Sequence, residues 1–229
     1  DSQTDGGYSL ITIQYCDYTL LEDIEVKNAG TVGINLYGVK HSSLQNIYAH
    51  DNYGHGVHPG AFGITGRNMY NTYRDIYSWD NGHNGFDDWG NDIAVEQYNV
   101  YDNLQCWDNG EHGIAICNQK SGVLSNLFAS GNGEHGIYLN AIEDFSINSC
   151  LVILSVEAGI IMYNSNNINF TNMIVKNNNA GDDNKSGIVF NGCSNITLTT
   201  CQSYDDRDTP LQLYGLSLSG TNAGISLVN

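Results

Sequence analysis

The chain has 229 residues, of which 41% are hydrophobic and only 14% charged, and a formal net charge of -17. That is too apolar for a disordered chain, and too acidic for a nucleic-acid face, which needs clustered Lys and Arg against phosphate. No apolar run is long enough for a membrane helix, and the first residues read as a mature or truncated start rather than a signal peptide.

The 15 tyrosines and 26 glycines, with abundant Asn, fit many short strands joined by tight turns. The six cysteines (Cys16, Cys106, Cys117, Cys150, Cys193, Cys201) form no CxxC pair and show no zinc spacing. They are expected to be mainly buried free thiols.

In chain order, the first clear unit runs from Leu21, Ile24 and Val26 through a turn to Gly33-Ile34-Asn35-Leu36. The unit recurs with one glycine as its mark: Gly33, Gly56, Gly85, Gly113, Gly136, Gly159 and Gly187. The base spacing is 23 residues, lengthened by five or six in some turns. A period in the twenties means stacked units, none able to bury its own hydrophobic face.

One residue after the mark stand Ile34, Val57, Phe86, Ile114, Ile137, Ile160 and Ile188. Three after it stand Leu36, Pro59, Asp88, Ile116, Leu139, Met162 and Phe190. Apolar residues two apart are one face of a strand. Nine and seven before the mark, pairs such as Ile24/Val26, Ile47/Ala49 and Leu127/Ala129 predict a second strand. Twelve before it, Leu21, Leu44, Tyr73, Tyr101, Leu124 and Ile147 open a third. In the turns, Asn52, Asn81, Asn109 and Asn132 stand at one level, where they can hydrogen-bond along the stack.

Three short strands per coil, like stacked on like, predict an all-β fold, a right-handed parallel β-helix. A leucine-rich repeat would need an LxxLxL strand and a helical back, and neither is present. The register blurs after Gly187, and neither end carries a visible cap. The chain is read as one domain over residues 1–229, consistent with a piece of a longer solenoid.

The pattern breaks in one region. On the strand after the mark, Asn35, His58 and Asp87 face outward on neighbouring coils, about 5 Å apart per coil. Tyr37 and Trp89 lie just beyond them. Lys27, His50, Trp79 and Trp107 form an outward column on the neighbouring strand, as a platform for sugar rings or as packing for inserted loops. His55, His112 and His135 share the position before the mark, at a site or as a plain surface stack.

Pro59 and Asp88 occupy inward positions. Proline cannot donate to a ladder, so it favours a bulge or strand end. A buried unpaired carboxylate is costly, so either a bulge turns Asp88 out beside Asp87 or it is paired inside. These departures, with Tyr53 in place of a turn glycine, cluster as functional sites do.

The stretch Tyr53-Gly54-His55-Gly56-Val57-His58-Pro59, followed by Asn81-Gly82-His83-Asn84-Gly85-Phe86 and by Asp108-Asn109-Gly110-Glu111-His112-Gly113-Ile114, resembles the catalytic modules of mannuronan C5-epimerases and related β-helical alginate lyases. That family carries Tyr-Gly-Phe-Asp-Pro-His and, later, Arg-His-Gly-Phe. The five-residue step from Tyr to His matches Tyr53 and His58, and the second histidine matches His112. The motif aspartate falls on Gly56 and the arginine on Glu111, which are departures.

The resemblance implies an extracellular enzyme, monomeric and off the membrane, acting on an acidic polysaccharide with no cofactor required. The first step would be removal of the C5 proton of a uronate, followed by epimerisation or β-elimination. That chemistry needs an acid and a base on opposite sides of the ring. His58 is the candidate base and Tyr53 the acid, or the base with a depressed pKa. His112, Lys40, Arg67 or a protonated Asp87 would neutralise the sugar carboxylate. Asn35, Asp87, Asp88, Trp89, Trp79 and Trp107 would line the substrate.

Two other classes compete. One is glycoside hydrolysis by Asp87, Asp88 and Asp92. The other is a non-catalytic sugar-binding β-helix. Asp182-Asp183 and Asp205-Asp206-Arg207-Asp208 could hold Ca²⁺ or be solvated loops; no other metal is expected.

Overall fold

The computed structural model describes residues 7–60, 68–90, 97–181 and 185–228. Among these there is no helix, and every strand pairing is parallel. The strands stack into two sheets. One holds the short strands, among them Ile34–Tyr37, Val57–His58, Phe86–Trp89, Ile114–Cys117 and Ile137–Asn140. The other holds the long strands, among them Leu20–Lys27, Ser43–His50, Thr72–Trp79, Val100–Trp107 and Lys120–Ser130. The predicted columns are hydrogen-bonded neighbours: Ile34 pairs with Val57, Val57 with Phe86, and Phe86 with Ile114. The fold is a parallel β-helix.

The three strand segments expected per coil are present, but the second and third belong to one sheet. The long strand bends at a single residue with positive φ, as at Asp23, Asn46, Asp75, Asn103 and Asn126. The bend makes Leu44, Ile47 and Ala49 all inward although the first two are three apart; an unbroken strand would send them to opposite faces. Asn and Asp suit this column because their short polar side chains tolerate the left-handed region.

The interior is a continuous apolar column that includes Ile34, Leu44, Ile47, Ile76, Leu104, Ile114 and Ile137, all fully buried. The asparagine ladder runs beside it. Asn52 Nδ2 donates to Asn81 Oδ1 at 2.8 Å, Asn81 to Asn109 at 2.9 Å, and Asn109 to Asn132 at 3.1 Å. Each Oδ1 also accepts a backbone N–H, as from Asn52 to Asn81 and from Asn81 to Asn109. The ladder thereby satisfies turn amides that would otherwise be buried without partners.

It also explains the glycine mark. A Cβ on Gly85 would stand 2.7 Å from Asn109 Nδ2 and 2.9 Å from the Gly113 carbonyl. All six cysteines are free thiols; Cys106, Cys117, Cys150 and Cys193 are buried, Cys201 is half-buried and Cys16 is exposed. Burial pushes the Cys106 thiol out of reach of ionisation at neutral pH.

Candidate active site

Pro59 ends its strand after two residues, Val57–His58, where the neighbouring coils carry four. The strand end expected of proline is therefore present, and it lies beside a cluster of titratable groups, His55, His58 and Asp87. His58 and Asp87 are outward neighbours on adjacent coils, with His58 Nδ1 2.8 Å from Asp87 Oδ2. His55 Nε2 lies 3.7 Å from the same oxygen. The two imidazoles stack with centroids 5.0 Å apart and planes 16° from parallel. A Cβ on Gly60 would fall 2.0 Å from His58 Nε2, so only glycine lets the chain pass so close to that ring.

Asn84 ties the cluster together across three coils. Its Nδ2 donates to Asp87 Oδ1 at 3.1 Å, its backbone N–H to His55 Nδ1 at 3.3 Å, and its Oδ1 accepts the His112 N–H at 3.0 Å. Because His55 Nδ1 accepts, the neutral ring carries its proton on Nε2, facing Asp87.

Burial and charge set the protonation states. Burial pushes the Asp87 carboxyl up, but His58, His55 and Asn84 outweigh it and hold the group below its ordinary pKa. Asp87 is thus an anion at neutral pH, not the protonated donor considered from the sequence. His55 is pulled down to about 4 by burial, with His58 and His83 adding to the effect and Asp87 opposing it. His112 also falls to about 4 through burial and the neighbouring His135. At neutral pH His112 can hydrogen-bond a sugar carboxylate but cannot offset its charge. Its ring lies flat against Tyr138, with centroids 4.6 Å apart, and its Nδ1 is 3.3 Å from Glu134.

Asp88 resolves to the inside. Tyr101 Oη donates to its Oδ2 at 2.7 Å and Gln119 Nε2 to its Oδ1 at 2.7 Å, with the residue fully buried. Burial drives its carboxyl well above the ordinary value. Adjacent residues on a strand point to opposite faces, so Asp87 and Asp88 cannot flank one glycosidic bond.

The other predicted residues are spread over several surfaces. Asn35 pairs with His58 in register, is buried, and donates through Nδ2 to Tyr37 Oη. Trp89, 45% exposed, ends the short strand after Asp88. Tyr53 is exposed on the turn, in a hollow lined also by Asp51, Asp80 and His83 rather than in the His58 cluster. His83 connects the two, lying 5.3 Å from His55 by ring centroids. Lys40 sits at the corner beyond the short strand, its backbone paired in parallel with those of Asp17 and Met69. Arg67, Asp92 and Asp182-Asp183 lie outside the described residues. Asp205 is held by Arg207, whose Nε donates to it at 2.9 Å.

Trp79 and Trp107 belong to the long-strand sheet. Their rings stack on each other at 5.0 Å and 2°, and His50 stacks on Trp79 at 4.2 Å and 9°. Trp79 has both faces occupied, which leaves mainly edges for a sugar.

The sequence left His55 open between a site and a plain surface stack and gave Asn84 no role. The available signal was their shared column before the glycine mark, next to the coils with irregular inward residues.

No protein-family model and no characterised protein sequence matches the chain. Solved structures do. The Azotobacter vinelandii mannuronan C-5 epimerase AlgE4 A-module superposes with a TM-score of 0.70 at 12% identity, over 92% of this chain and 61% of that one. The periplasmic alginate epimerase AlgG gives 0.61 at 14% identity, over 92% and 51%. The Siphovirus 9NA tailspike receptor binding domain gives 0.63 at 13% identity, over 95% and 49%. The chain thus spans about half to three-fifths of the length of these neighbours. At such identities the likeness establishes the architecture: the chain has the parallel β-helix fold that these structures share.

Proposed function

We propose that this chain acts on an acidic polysaccharide outside the cell, removing the C5 proton of a uronate and leading to epimerisation or β-elimination. The observation that carries the reading is the His58–Asp87 contact of 2.8 Å on the outward face of the short-strand sheet. An ionised carboxylate against Nδ1 orients the ring and stabilises the imidazolium formed when Nε2 takes a proton. Asp87 thus supplies, from the next coil, the carboxylate missing where Gly56 replaces the motif aspartate.

Tyr53 is the proton donor that the family resemblance assigns; it stands in the neighbouring hollow beyond His83, so a sugar chain meeting both residues would run from the His58 cluster across His83. His112 and Asn35 hydrogen-bond the substrate, and Trp89 offers an exposed ring at the strand end. Lys40 and Arg67 are the cations assigned to the carboxylate. The alginate epimerases among the structural neighbours support the substrate class.

Incubation with polymannuronate, polyguluronate and pectate tests this reading. Absorbance from unsaturated ends reports elimination, and proton NMR of the product reports inversion at C5. New reducing ends without either signal would favour hydrolysis, and binding without turnover a recognition module.

A further inference from the structure

We propose that His55 Nε2, His58 Nδ1 and Asp87 Oδ2 form a binding site for one divalent transition-metal ion of the Zn²⁺ type. One ligand atom from each of the three residues lies within 4.8 Å of those of the other two. Two of the distances, 2.8 and 3.7 Å, run to the same carboxylate oxygen. A tetrahedral ion with bonds of about 2.0–2.2 Å holds its ligand atoms about 3.3 Å apart. Side-chain shifts of about an ångström would therefore gather the set.

Two imidazoles and one carboxylate suit zinc and its neighbours, whereas Ca²⁺ and Mg²⁺ prefer oxygen alone. Three protein ligands leave a fourth position for water or an anion. The His55 side chain is 23% exposed against 6% and 4% for His58 and Asp87, so the ion enters from the His55 side. The ligands stand on adjacent short strands or beside them, and Asn84 Nδ2 already holds the other Asp87 oxygen as an outer-shell partner.

The metal-free arrangement opposes binding in one respect. Asn84 N–H donates to His55 Nδ1. An ion on Nε2 sends the ring proton to Nδ1, so that hydrogen bond must open and the stacked rings must tilt together. The Asn84 amide is therefore a reporter of occupancy.

An ion on His58 Nδ1 leaves the proton on Nε2, and the ring can no longer accept one. On the proposed function, the ion thus holds the enzyme in an off state. The site itself does not depend on that function.

The test uses chelator-stripped protein and Zn²⁺ alone, with calorimetry, metal analysis after gel filtration, and amide NMR. The expected result is one zinc per chain, a shifted Asn84 amide, and at least tenfold weaker binding in His55→Ala and Asp87→Asn. His135→Ala, whose Nε2 faces Glu157 at 3.4 Å, serves as the control that keeps zinc. Absence of bound zinc, or undiminished binding in His55→Ala, overturns the site. His55→Ala decides the matter if Asp87→Asn fails to fold. Zinc binding without loss of polyuronate turnover overturns the off state alone. Lack of turnover in the metal-free protein overturns the proposed function and not the site.

Discussion

The two outer faces of the coil stack are built by the same repetition and do opposite things. On the long-strand sheet, equivalent positions carry His50, Trp79 and Trp107, and their rings pile up within 9° of parallel. On the short-strand sheet, equivalent positions carry Asn35, His58 and Asp87, which differ in size, charge and hydrogen-bonding role. Like on like lets a column satisfy itself. Unlike on unlike, as at His58 and Asp87, leaves directed chemistry at the surface. Repetition thus stabilises the scaffold, and its interruption makes the site.

The sharpest way to break this contrast is His58→Ala. It should lower turnover on polyuronates by about 10²–10⁴-fold, the usual contribution of a positioned base, with the circular dichroism spectrum unchanged. Tyr53→Phe should cost a comparable factor. Full activity in either removes that residue from the mechanism.

Next in size is Asn81→Ala. It removes an acceptor used by both the backbone and side-chain nitrogens of Asn52, and leaves Asn109 Oδ1 short of a donor. Each buried group left unsatisfied costs about 1–3 kcal/mol, so urea denaturation should show a loss in that range or above it.

Trp79 and Trp107 give the complementary test. A double-mutant cycle to alanine should show a coupling of about 1 kcal/mol in stability, as expected for an aromatic pair. It should leave the KM for polysaccharide unmoved. A large rise in KM would restore the tryptophans as a sugar platform.

The smallest effects are in pH dependence, and their signs differ between the two sides of the sheet. Half-buried His55 and His112 and buried His135 sit near pKa 4, below an ordinary value of 6.5. The unfolded chain binds more protons between those values, so their stabilisation is present above pH 6.5 and lost as pH falls toward 4. Asp88 has a raised native pKa, so its contribution is full below the ordinary carboxylate range and is lost as pH rises through the native value. Asp88→Asn should flatten the fall in stability toward alkaline pH, measured by urea denaturation across the range. An unchanged slope would show that Asp88 is ionised in the folded state.

Most of the scaffold was legible as spacing. The glycine mark, the inward columns and the asparagine level each repeat a local requirement in every coil: a tight approach, an apolar contact, a capped turn. The site was legible only as a place where those requirements lapse. The column positions put Asn35, His58 and Asp87 side by side, and register confirms that for Asn35 and His58. They could not rank His55, which depends on ring orientation, or connect Asn84, whose three bonds reach three coils.

The sequence by itself determined the parallel β-helix, because inward positions alternate with period two within each strand segment and recur at the same place from coil to coil. Tertiary structure decided the chemistry. Burial makes His55 and His112 neutral and Asp88 a high-pKa acid, proximity to two imidazoles keeps Asp87 ionised, and the turn carries Tyr53 into its own hollow. Protonation and reach depend on what other coils bring within a few ångströms, and no spacing along one chain encodes that.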